Sequence, residues 1–192
     1  MLRKLVILAC VSASVFAANP TDLEKLSKMT TPVSTTGLDL SHADLRGYQF
    51  VAGKIDLSHA ILSYANLENV NLENIDLRHA NLSFALLKNA NLSGANLSNA
   101  NLQHANLTAA KLTKTNLSQA KLNFALLKEA NLQDANLTNA NFTCANFNEA
   151  NLAKANFAEA IISSATFTNT ITTDIQNYDS VVDYRVSCSE EL

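Results

Sequence analysis

An apolar residue, usually leucine, recurs every five positions from Leu57 to Phe167 without a break, and neither a helix nor a flat strand can use that period. At 3.6 residues per turn the leucines would be smeared around a helix, and at a period of two they would alternate between faces. A five-residue period instead asks for a chain that turns a corner after each repeat and brings every leucine back inside. Four such corners close a coil of about 20 residues, and coils stack through backbone hydrogen bonds at the 4.7–4.9 Å strand spacing. The 115 residues from Ile55 to Asn169 predict nearly six coils, a rod roughly 28 Å long.

The repeat unit fills such a rod. The 23 periodic positions hold 18 Leu, four Phe and one Ile, and two residues earlier stand 19 Ala, with Ile55, Val70, Ile75 and Thr115 as exceptions. Large and small side chains side by side fill a narrow interior without voids. The position between them is Asn or Asp in 16 of 23 cases. Asparagine tolerates tight-turn dihedrals, and stacked amides hydrogen-bond along a rod, so this column needs no ligand to explain it. Leu40, Leu45 and Phe50 keep the period in another phase, seven residues separating Phe50 from Leu57. A bulge or small loop is expected over residues 51–55, with Gly53 supplying backbone freedom.

Units such as Ala95-Asn96-Leu97-Ser98-Asn99 and Ala130-Asn131-Leu132-Gln133-Asp134 resemble the pentapeptide-repeat proteins. The resemblance covers residues 38–169. It implies an all-β solenoid, a right-handed quadrilateral β-helix with the Leu/Phe and Ala positions inward. It also implies a homodimer through the C-terminal region. Family members that protect DNA gyrase do so as acidic mimics of duplex DNA, with Asp common beside the central Leu. Here that position is mostly Asn, sometimes Lys (Lys111, Lys121), and residues 38–169 hold ten acids against nine bases. A near-neutral rod makes a poor mimic, and its lysines fall on several faces, so it makes a poor nucleic-acid binder too.

The two ends depart from the repeat. Residues 1–17 read as a signal peptide: Arg3 and Lys4 precede the apolar run Leu5–Phe16, and Val15-Phe16-Ala17 offers a cleavage site,. The run is too short to span a membrane, so the chain is expected outside the cytoplasm, periplasmic or secreted. Residues 18–37 are expected to cap the first coil. Within them, Thr21 and Glu24 form a capping box, and Leu23, Leu26 and Met29 make a helical stripe closed by Pro32,. Residues 170–192 form an acidic tail in which Val181, Val182, Tyr184 and Val186 suit a short strand on the last coil. Without residues 1–17 the chain keeps two cysteines, Cys144 in the repeat and Cys188 in the tail. A bridge pinning the tail back and two separate thiols are both open.

Residues 20 apart share an outward column. One column reads Tyr64, Phe84, His104, Phe124, Cys144 and Ser164; in its neighbour Leu86 and Leu126 replace the usual Asn. Phe84-Ala85-Leu86-Leu87-Lys88 recurs as Phe124-Ala125-Leu126-Leu127-Lys128, two coils on. The result is an apolar ridge flanked by Lys88 and Lys128, and two readings of it are open: stacked aromatics that only stabilise the rod, or the candidate contact surface for a protein partner. Between Arg78 and Lys128 there are six basic residues and no acidic one. His59 and His79 stack on another face, but Asn99, Gln119 and Asn139 continue their column and add no good metal ligand,. No nucleophile motif, phosphate-cradling loop or zinc spacing is present. The expectation is an exported, non-catalytic scaffold for protein contacts or an envelope role, with no cofactor.

Overall fold

The computed structural model describes residues 33–34, 37–53, 55–183 and 187–188. The signal segment expected over 1–17 and the helix expected over 19–31 lie outside them. Parallel bridges join each residue beside a central leucine to its counterpart one coil later: Asp76 to Asn96, Asn96 to Asn116, Asn116 to Asn136. The offset is 20 residues throughout the middle of the rod, so each coil has four five-residue sides.

Within each side three residues are extended. The Ala and Leu point in and the Asn between them points out, by the ordinary alternation of a strand. The corner follows. The Leu carbonyl accepts the N–H of the next Ala, as in Ala100 N to Leu97 O at 3.0 Å, closing a β-turn. The third turn residue has positive φ at every corner, from His42 at 58° to Asp174 at 54°, the mark of type II turns. That left-handed position is therefore two residues after the central Leu. The Asn beside the Leu sits instead in the extended bridge, so tight-turn tolerance is not its role.

Its role is to complete the backbone. Of the five N–H groups in a repeat, one closes the turn and three bond to adjacent coils, as in Leu97 N to Asn116 O at 2.7 Å, Asn99 N to Ser118 O at 2.9 Å and Asn101 N to Ala80 O at 2.9 Å. The fifth belongs to the residue just after the Leu and points outward. The Asn or Asp Oδ1 accepts it, as in Ser98 N to Asn96 Oδ1 at 3.2 Å and Ser58 N to Asp56 Oδ1 at 2.8 Å. Buried or half-buried backbone donors need partners, and this side chain supplies the last. The amides also ladder along the rod, Asn136 Nδ2 donating to Asn116 Oδ1 at 3.2 Å and Asn116 Nδ2 to Asn96 Oδ1 at 3.3 Å.

The interior is a continuous column of Leu, Ala and Phe, with Phe142, Phe147 and Phe157 fully buried toward its C-terminal end. Thr115, the one polar residue at an Ala position, is buried and donates its hydroxyl to Leu92 O at 2.7 Å. At the phase break the first coil holds 22 residues: β1 (Val33–Ser34) pairs in parallel with β2 (Ile55–Asp56), and Asp39 bridges Ile61. The surplus bulges outward at residues 51–53, where Gly53 has φ 73° and Val51 is exposed.

The coil runs past both limits of the pentapeptide pattern, because stacking needs backbone and not leucine. It includes β1 inside the segment expected as a cap, and it continues through Ile171, Gln176 and Val182, which bridge Asn151, Asn156 and Ile161. A 3-10 turn at Tyr178–Ser180, entered through Asn177 at φ 55°, adds one residue to the last coil. Cys188 then bonds to Cys144, with Cα atoms 5.7 Å apart. The bridge alternative holds, and it pins the end of the tail against the aromatic column.

A crosslink closing 44 residues removes loop entropy from the unfolded chain worth about 4 kcal/mol. Cys188→Ser, or reduction, should lower the unfolding free energy by up to that amount in a denaturant titration; an unchanged midpoint would mean that the tail is not held by the bond.

Candidate interaction surface

The aromatic residues of the ridge all occupy left-handed corner positions, with φ near 60° at Tyr64, Phe84, His104 and Phe124. A bulky residue there carries a backbone cost of about 1–3 kcal/mol, which stacking offsets in part. The rings lie parallel along the rod: Tyr64 on Phe84 at 4.8 Å, Phe84 on His104 at 4.6 Å and His104 on Phe124 at 4.9 Å between centroids. These distances equal the coil spacing, and each offset stack contributes about 0.5–1.5 kcal/mol. His42 heads the column, stacked on Tyr64 at 4.8 Å. The 20-residue rule misses it because the first coil is two residues longer. The column ends at the Cys144–Cys188 bridge.

Stacking uses up the ring faces and leaves only edges to the outside. Such a surface cannot clasp a sugar ring or a nucleobase face to face. It offers a corrugated apolar strip suited to aliphatic and aromatic side chains.

Beside this corner lies the face that carries Leu86 and Leu126, which are 40% and 44% exposed and bridge Asn66, Asn106 and Asn146. Neither leucine can do what Asn does at this position. The N–H groups of Lys88 and Lys128 lose the side-chain acceptor that Glu68 and Thr108 keep, from Asn66 and Asn106 at 3.1 Å each. The amide ladder in this column is broken as well. Each leucine thus gives up a hydrogen bond worth about 1 kcal/mol and exposes apolar surface. The rod gains nothing from either substitution.

Lys128 lies 3.4 Å from Glu129 and 3.3 Å from Glu149, one cation between two carboxylates. Lys88, two coils away, has no ion pair among the described residues. At the corner one side before the aromatic column His59 and His79 stack at 4.7 Å, both exposed. Among the described residues no group of three or more His, Cys, Asp or Glu is placed to hold a metal. No helix among them is long and apolar enough to cross a membrane.

Near that pair Asp76 is held by Arg78, whose Nη2 donates to Oδ2 at 2.7 Å. Partial burial pushes the Asp76 carboxyl up, but the Arg78 side chain and N–H, with His59 nearby, outweigh it and hold the group below 3.8. The unfolded chain therefore binds this proton more readily than the folded one. The stabilisation is complete above the ordinary value of 3.8 and is lost as pH falls through the lower folded value,. Asp76→Asn keeps the backbone acceptor and removes the titration. Thermal unfolding of the variant should lose less Tm on acidification than wild type; equal losses would show that Asp76 does not contribute.

A family model described as pentapeptide repeats (8 copies) matches residues 55–94, and one described as a pentapeptide repeat region matches residues 85–157. No curated protein matches the chain. Among solved structures, HetL, a pentapeptide repeat protein involved in heterocyst differentiation regulation from the cyanobacterium Nostoc sp. strain PCC 7120, is 31% identical. That match covers 73% of this chain and 81% of HetL, with a TM-score of 0.40. A pentapeptide repeat protein from the cyanobacterium Cyanothece 51142 is 36% identical over 58% of this chain and 66% of its own, with a TM-score of 0.28. QnrB1, a plasmid-mediated fluoroquinolone resistance protein, is 17% identical over 78% of this chain and 81% of its own, with a TM-score of 0.40. The matched segments together run from residue 55 to residue 157, more than half of the sequence, and the chain belongs to the pentapeptide-repeat family.

Proposed function

We propose that the protein is an exported, non-catalytic β-helical scaffold whose contact surface is the ridge of Tyr64, Phe84, Leu86, Lys88, His104, Phe124, Leu126 and Lys128. A right-handed coil and a helical cap within residues 18–37 are part of this reading. The observation that carries it is the pair Leu86 and Leu126. Of the seven repeats without Asn or Asp at this position, these two put leucine there two coils apart on one face, break the hydrogen-bonding scheme and expose apolar surface beside the aromatic column. A residue that costs the fold and faces outward is best explained by what it touches. Export is supported by the charged and apolar pattern of residues 1–17 and fits a chain that carries a disulfide. A non-catalytic role fits a rod whose interior is filled with Leu, Ala and Phe. The gyrase-directed reading draws no support from a repeat face that carries Asn where a mimic of DNA needs Asp.

Two measurements test this reading. Leu86→Asn with Leu126→Asn restores the repeat consensus, so the double variant should be as stable as wild type or more so, by about 1 kcal/mol per restored bond. The same variant should lose self-association or capture of its protein partner. A gain in stability with contacts intact would make the ridge merely tolerated. Cell fractionation with sequencing of the mature N-terminus should give a chain beginning at Ala18 or Asn19 outside the cytoplasm. An uncleaved cytoplasmic chain would overturn export and make a supercoiling assay the next step.

A further inference from the structure

Over the three coils from Phe84 to Lys128 the ridge reads the same in both directions along the rod, and Tyr64, whose counterpart is Cys144, lies outside that stretch. Centred on the coil of residues 104–108, three adjacent columns are symmetric: Phe84, His104, Phe124; Leu86, Asn106, Leu126; Lys88, Thr108, Lys128. Leu86 and Leu126 each stand one coil from Asn106, about 10 Å apart from one another. A patch that is its own reverse is what an isologous two-fold contact requires, since the same surface must meet itself running the other way.

We propose that the occupant of the ridge is a second copy of this chain, lying antiparallel with the two-fold axis at Asn106. This rests on the ridge being a contact surface and adds what it contacts. In that arrangement Leu86 meets Leu126 of the second copy, and Phe84 meets its Phe124, apolar edge on apolar edge. Asn106 meets Asn106. Its Oδ1 already accepts the Thr108 N–H at 3.1 Å, while the ladder partner one coil back is Leu86, which has no acceptor for Nδ2. Two carboxamides facing across the axis satisfy each other, and a polar pair inside an apolar seam fixes register in the way a buried Asn does in a coiled coil. Charge follows the same symmetry. Lys128 is shared by Glu129 and Glu149, a local surplus of one carboxylate, and Lys88 is a cation without an ion pair among the described residues. Reversal places Lys88 of one copy opposite Lys128 of the other, twice, and the Glu129 and Glu149 carboxylates on Lys128 supply the counter-charge at each pair of lysines.

The test uses the full mature protein with its disulfide intact. Sedimentation equilibrium should give twice the chain mass for wild type, and the chain mass for Leu86→Asn with Leu126→Asn. Asn106→Cys should form a covalent dimer under mild oxidation, because the two-fold places both copies of that position together. Asn146→Cys, in the same column two coils on, removes the same backbone acceptor yet should form none, since its two copies would stand about four coil spacings apart. A monomer at the highest soluble concentration overturns the proposal. So does crosslinking at 146 as efficient as at 106, or a dimer indifferent to both leucines, which would be joined through its C-terminal ends instead. A monomer whose capture of another protein still depends on Leu86 and Leu126 would leave the contact surface standing with a different occupant. A monomer without that dependence would remove both.

Discussion

The structure depends on one N–H group per repeat. A chain that turns a corner every five residues can satisfy four of its five backbone donors through the turn and the neighbouring coils. The fifth faces outward from the corner, and the Asn or Asp beside the central leucine accepts it through Oδ1. That bond makes the corner and the extended side compatible, and it explains why an amide stands there so consistently. The apolar interior and the stacking of coils set where the chain turns, since the corners after Leu86 and Leu126 close like the others, and the amide completes the hydrogen bonding of each corner. With both in place each coil is a template for the next, and stability accumulates by nearest-neighbour stacking.

Departures from the scheme are therefore informative in proportion to what they forfeit. Asp76 departs only in charge and keeps the acceptor. Thr115 departs inside the core and finds a carbonyl. Leu86 and Leu126 forfeit the acceptor, the ladder and the solvation of an amide, and nothing inside the rod returns the loss. Their neighbours Phe84 and Phe124 sit at positive φ and recover part of their cost by stacking. Ile61, Lys111, Lys121 and Ile161 forfeit the same acceptor on other faces, and what sets Leu86 and Leu126 apart is the stacked aromatic corner beside which they repeat.

The sequence carried most of this in plain view, because a solenoid turns linear spacing into spatial adjacency. The period gave the coil, the columns and the stacked rings of Tyr64, Phe84, His104 and Phe124. It missed His42, since two extra residues before Leu57 shift every column of the first coil by two. It anticipated the amide ladder of the repeat asparagine but also credited that residue with a turn tolerance it does not use, because the left-handed residue lies three positions further on and is chemically diverse: His59, Ala109, Lys114 and Glu129 all adopt it. Stacking imposes the turn on many residue types, and its trace is an excess of Asn, Asp, His and Gly with no Val, Ile or Thr among them,. The Cys144–Cys188 bridge was open from sequence alone, since a column position says nothing about where a tail without repeats returns.

Hydroxyl-radical footprinting of the protein in its native compartment, set against the dilute purified chain, bears most directly on the claim that the ridge is a contact surface. The account predicts that Tyr64, Phe84, Leu86, Phe124 and Leu126 are oxidised in the dilute chain and protected in the cell, while exposed Ile171 and Tyr178 react alike in both. Equal oxidation of the ridge in the two settings would contradict it.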